Sequence, residues 1–123
     1  MTTDSKKPAK TTQRSARGPA RLSKARLATM IEEATVDAND ESEQATGWFT
    51  MFEEHLELPF ETKVLGTAVS VTSIDLRDSG QIVAICTRGR DHQAIALVDL
   101  PLPPLKPTGT EWIEAYRYWL SRR

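Results

Sequence analysis

Cysteine occurs once in the 123 residues, at Cys86, so neither an internal disulfide framework nor a cysteine-rich zinc site can form. A reducing compartment fits that usage, and we expect a cytoplasmic protein. Long apolar runs are also missing: nothing approaches the ~20 residues that span a bilayer, and the basic N-terminus leads into no apolar signal core. The chain has no Walker loop, no dinucleotide-type glycine motif and no histidine-rich metal pattern. Nucleophilic catalysis needs an activated Ser or Cys beside a base, yet His55 and His92 sit in no recognisable motif and Cys86 lies within a strand-like run. We therefore expect no enzyme. The most informative lack is of positive charge: no Lys or Arg stands between Leu27 and Thr62, an interval with ten acids.

The formal net charge of −1 hides this asymmetry. Residues 1–26 carry eight Lys/Arg against Asp4 alone, about +7, and residues 27–123 carry eight bases against sixteen acids, about −8. No large apolar residue stands between Met1 and Leu22, so a segment of about residues 1–24 cannot bury enough to offset its ordering entropy. We expect a disordered basic tail there. Such tails contact phosphates of nucleic acid or anionic membranes, but this one has no aromatic residue for base stacking, and nucleic acid is not the expected partner. It can also fold back weakly on the acidic body, a contact that salt screens. The remaining residues, 25–123, suit one domain with a modest core, given 39% hydrophobic residues overall.

Leu27, Met30, Ile31 and Ala34 fall at helical spacing and predict a short helix capped by Ser23. "VDAND" interrupts it, since Asp and Asn favour turns and caps. A second helix is expected from about Asp40 to Leu56, with Ala45, Trp48, Phe49, Phe52 and Leu56 on one side, until Pro59 stops it. "TKVLGTAVSVTSIDL", "QIVAICTR" and "HQAIALVDL" read as β segments separated by the turn clusters "RDSG" and "RGRD". "PLPPLKPTG" is an extended linker, and "TEWIEAYRYWLSRR" a last helix capped by Thr108 or Thr110, with Trp112, Tyr116 and Trp119 on one face. The class is α+β: three or four short antiparallel strands in a small barrel or strongly curved sheet, covered by helices.

The acids between Leu27 and Thr62 are Glu32, Glu33, Asp37, Asp40, Glu41, Glu43, Glu53, Glu54, Glu57 and Glu61. Calcium takes six to eight oxygen ligands at about 2.3–2.6 Å, and carboxylates with loop carbonyls supply them without cysteine or histidine. Helical positions three apart hold their Cβ atoms roughly 5–6 Å from each other, so Asp40 and Glu43 can close on one ion while Asp37 approaches from the turn. "DANDESEQATGW" is no EF-hand loop: Ser42 stands where Gly is wanted and Trp48 where a bidentate Glu is required. The competing explanation is capping, because Asp40 and Glu43 have the capping-box spacing and acids in a first turn suit the helix dipole. Glu53, Glu54 and Glu57 lie about three turns further along and form at most a second weak patch.

"VDANDESEQATGWFTMFEEHLELPFETKV", a β segment ending "AIALVDL" and the closing "TEWIEAYRYWL" resemble the small calcium-binding protein family typified by cyanobacterial CcbP, over about residues 30–121. The most specific parts are the Val-Asp-Ala turn, the pair Gly47-Trp48, the Leu58-to-Phe60 exit and Tyr118-Trp119. The resemblance implies N-terminal helices packed on a small SH3-like antiparallel β-barrel with a C-terminal helix, and a Ca2+ buffer or regulator. Carried over residue by residue, it implies metal ligation by Asp37 first, then Asp40, Glu41 and Glu43. Family members carry a further acidic stretch between strands, whereas here Arg77 stands between Asp75 and Asp78, so a second calcium site is not expected in that stretch. The alternative is a metal-free SH3-like module that binds a protein partner, with the acids serving solubility and the basic tail contacting nucleic acid.

Overall fold

The computed structural model describes residues 22–123; most of the basic tail lies outside them. Helix α1 (Lys24–Thr35) begins at Ser23, whose hydroxyl accepts from the Arg26 amide at 3.0 Å. Its stripe of Leu27, Met30 and Ala34 is buried, as the helical spacing requires. Helix α2 (Glu41–His55) follows after a short turn and buries Ala45, Trp48 and Phe52. Leu56 ends it as C-cap, with its amide donating to the Phe52 carbonyl, and a cis Leu58–Pro59 bond leads into the sheet.

Four antiparallel strands then run in the order β1-β2-β3-β4: β1 (Phe60–Val64), β2 (Thr67–Leu76), β3 (Ile82–Arg88) and β4 (Asp91–Ala96). The stretch expected as one continuous β segment after Phe60 is a hairpin, because Leu65 and Gly66 both adopt positive φ, 52° and 79°, between the paired Val64 and Thr67. Positive φ at both central residues is what the tightest hairpin turns demand. A bulge between Val71 and Ser73 shifts the β2–β3 register. The run expected to stay extended through Leu100 leaves the sheet early and forms a 3-10 turn, Leu97–Asp99.

Helix α3 (Thr110–Ser121) closes the fold. Its cap is Gly109, not Thr108 or Thr110: φ of 92° there suits glycine, and a Cβ would collide with the His55 carbonyl. Thr110 instead donates its hydroxyl to the Pro107 carbonyl at 3.0 Å. The architecture is α+β. The barrel expectation meets an open meander, with β1 and β4 at opposite edges and no pairing between them.

Helix α2 packs on β2 and on the other two helices, and α1 packs on α2 and α3; Val71, Ile82, Ala84 and Cys86 of the sheet share one buried cluster with Trp48, Phe52, Trp112, Ile113 and Tyr116. Trp48 is the hub, with ring centroids of Tyr116 and Trp119 each 5.5 Å away. Truncating a buried aromatic of this kind to Ala costs about 3–5 kcal/mol. Arg117 ties α3 to the segment after β4, donating to the Leu97 carbonyl at 3.0 Å and also to that of Leu100.

Candidate metal-binding site

The acidic run occupies the junction of α1 and α2. Asp37 sits just past the C-cap of α1 with φ of 60°, a left-handed conformation that Asp and Asn tolerate better than most residues. The Ala38 amide donates to the Thr35 carbonyl at 3.0 Å and finishes the turn. The last turn of α1 holds no base, so the negative end of its dipole faces the junction uncompensated. A cation is favoured on that side and disfavoured on the α2 side, where amides point outward.

Asp40 is the N-cap of α2; its Oδ1 accepts from the Glu43 amide at 2.8 Å, and Glu43 Oε1 accepts from the Asn39 amide at 2.6 Å. This reciprocal pair performs the capping function that the spacing allows. Each bond engages one carboxylate oxygen, and a carboxylate has two. Asp37, Asp40, Glu41 and Glu43 are all exposed. Glu41 pairs with Arg123, Oε2 to Nη2, at 2.5 Å.

The structure thus brings Asp40 and Glu43 onto one backbone feature and draws Glu41 toward the end of α3. It does not gather the predicted ligands into a shell: among the described residues no group of three or more His, Cys, Asp or Glu is close enough to hold a metal ion. The donor set still suits calcium, being made of hard oxygens alone. Glu53, Glu54 and Glu57 are exposed at the other end of α2. Ten residues of helix separate Glu43 from Glu53, roughly 15 Å at 1.5 Å per residue, so the two groups cannot share one ion. Glu54 lies 3.9 Å from His55 Nε2, and the His55 ring stacks on Trp112 at 4.9 Å.

Two neighbours of the acidic run were not legible as such in the sequence. A cavity of about 340 Å3 opens beside the first turn of α2, lined by Glu41, Ser42, Asp78, Ser79, Trp119 and Arg123 among others. The β2–β3 turn thereby brings Asp78 to the same cleft as Glu41. Arg123 lies 82 positions from its carboxylate partner, beyond the reach of any local pattern. The one available signal is that the last aromatic helix ends in two arginines.

The chain is a small α+β domain of three helices and a four-stranded antiparallel sheet, with four exposed carboxylates concentrated at one helix junction. The family model of CcbP, described as calcium binding, matches residues 28–120, and the chain belongs to that family. The ion of the family is Ca2+. Among solved structures, a calcium-binding protein in its calcium-binding form superposes with a TM-score of 0.64 at 25% identity, over 78% of this chain and 90% of its own. The crystal structure of Anabaena CcbP gives 0.66 at 23% identity, over 85% and 96%, and supports the fold. No curated protein matches the sequence. No helix among the described residues is long and apolar enough to cross a membrane.

Proposed function

We propose that the chain binds Ca2+ at the α1–α2 junction through Asp37, Asp40, Glu41 and Glu43, as a cytoplasmic buffer or regulator without catalytic activity. The observation that carries this reading is the position of Asp37 in left-handed backbone, between the uncompensated carbonyl end of α1 and three acids in the next turn. A single buried cysteine supports the reducing compartment. Two of the carboxylates accept from backbone amides and one pairs with an arginine, so each of the three has one oxygen engaged. Site rigidity tunes calcium affinity, and four exposed side chains on a turn and a helix make a site of low rigidity, which holds its ion on the order of micromolar or looser. Glu53, Glu54 and Glu57 form a separate, weaker patch. The bulge in β2 supports reading the meander as an opened SH3-like barrel whose task is to carry α2 and α3.

Calorimetric titration of the full chain with CaCl2, and of Asp37→Asn in parallel, tests the reading. Asn keeps the left-handed turn and removes the charge, so the fold survives while the heat of binding falls by most of its amplitude. Heat unchanged in Asp37→Asn would remove Asp37 from the site. No heat in the parent chain at millimolar calcium would favour the metal-free interaction module. A parallel titration with MgCl2 separates a calcium site from a general divalent one, because Mg2+ demands near-octahedral geometry and gives up its waters reluctantly.

A further inference from the structure

The interval from Leu27 to Thr62 offers its acids no Lys or Arg, and for Glu41 the fold supplies an arginine from the far end of the chain. Arg123 Nη2 meets Glu41 Oε2 at 2.5 Å while its guanidinium lies 4.7 Å over the Trp119 ring. The two side chains are unequally held: Arg123 is 38% exposed and Glu41 83%. Stacking on Trp119 parks the cation, and the carboxylate swings out to meet it. A guanidinium and a divalent ion cannot share that carboxylate closely, since the two positive charges would stand a few ångström apart.

We propose that Arg123 is a tethered competitor of calcium at Glu41, which sets the affinity of the site by occupying one of its ligands until the metal arrives. The inference rests on the calcium reading above. Release is inexpensive, because an exposed ion pair contributes little and Glu41 can rotate away while Arg123 stays on Trp119. Competition is reciprocal: whatever Arg123 takes from calcium affinity, bound calcium takes from the Glu41–Arg123 contact.

The test is calcium calorimetry on the full chain and on Arg123→Ala, Arg122→Ala, Glu41→Gln and the double variant Glu41→Gln/Arg123→Ala. Arg122 is the control for charge: its guanidinium lies 5.4 Å over Tyr118, and removing it subtracts the same unit of charge one position away. Arg123→Ala is expected to bind calcium about two- to fivefold tighter, the range that freeing one exposed ion pair permits. Arg122→Ala should change the affinity by less than half of that gain, and in the Glu41→Gln background the Arg123→Ala gain should vanish. In the parent chain the Arg123 side-chain Nε–H resonance should shift on adding CaCl2. Equal affinities for Arg123→Ala and the parent, or equal gains from Arg122→Ala and Arg123→Ala, overturn the competitor role while leaving calcium binding intact. Failure of both parent and Arg123→Ala to bind at millimolar calcium defeats the calcium reading, and this inference with it.

Discussion

Gly47 of α2 lies so close to Ala34 near the end of α1 that a Cβ at residue 47 would collide with the Ala34 carbonyl oxygen. The contact sets how near the two helices approach, and so where the turn carrying Asp37 sits relative to Asp40. Gly47 and Trp48 act as a pair: the first admits the neighbouring backbone, and the second, fully buried, fills the core beneath.

Gly47→Ala should therefore destabilise the fold although Ala is the better helix former. The propensity gain is about 1 kcal/mol. Forcing a methyl against backbone, which cannot rotate away, costs about 1–3 kcal/mol and sometimes more. A net loss on the order of 1 kcal/mol is expected in urea unfolding, with weaker calcium binding as the α1–α2 junction opens. A variant more stable than the parent would show that the helices separate freely at this point.

Arg117→Met should destabilise the domain more strongly. Its guanidinium satisfies the carbonyls of both Leu97 and Leu100, which are themselves buried residues. Burial lowers the pKa of Arg117, while the carboxylates of Glu114 and Asp99 raise it. Met fills similar space without donors; the Leu97 carbonyl keeps the Leu100 amide at 3.3 Å, whereas the Leu100 carbonyl loses the arginine, and a buried carbonyl left unsatisfied costs about 1–3 kcal/mol. A loss of about 1–3 kcal/mol in urea unfolding is expected on that basis. A loss no larger than that of a surface substitution would mean that water replaces the arginine.

Stability should decline on the alkaline side. Burial pushes the Cys86 thiol up, and it pushes the Tyr116 phenol up against the opposing effects of a hydrogen bond from the Ile82 backbone and of the Arg123 charge. Both groups hold their protons more tightly folded than unfolded. Their contributions are fully present below the unfolded pKa values, about 8.5 for a thiol and about 10 for a phenol, and are lost as pH rises through the folded ones. The slope approaches about 1.4 kcal/mol per pH unit for each group in its window. Urea midpoints between pH 8 and pH 11 check this, and Tyr116→Phe should flatten the upper part of the decline. An identical profile in Tyr116→Phe would assign the decline elsewhere.

The three helices were legible because their apolar stripes have one period and clear stops: Leu27, Met30 and Ala34 in α1, Trp48 and Phe52 in α2, Trp112 and Tyr116 in α3. The β1–β2 turn was not, because Leu65 is a poor choice for positive φ and imitates a strand residue; the residue is 99% exposed. The cap of α3 was misassigned for a related reason. Two threonines flank Gly109, and what makes glycine necessary there is the left-handed φ of 92° together with the approach of His55 and Leu56 from another element. The run from Asp37 to Glu43 was legible from composition as a concentration of acids at the start of a helix. Its relation to Asp78 and Arg123 depends on tertiary contacts that bring the β2–β3 turn and the end of α3 to the same cleft. Local pattern finds donors along a chain and says nothing of cations imported from elsewhere in it.

Capping and ion binding at Asp40 separate cleanly by substitution. Asp40 Oδ1 accepts from the Glu43 amide, a bond that Asn makes equally well and Ala not at all. Asp40→Ala should lose about 1 kcal/mol of stability and Asp40→Asn almost none. Calcium affinity should respond to charge instead. Both variants remove one carboxylate, and since ligand charge count tunes calcium sites, both should bind on the order of tenfold more weakly. Thermal melts with and without CaCl2, alongside calorimetry, read the two effects from the same samples. If Asp40→Asn binds calcium like the parent while Asp40→Ala does not, the residue serves the ion only by holding α2 in place, and the ligand set contracts to Asp37, Glu41 and Glu43.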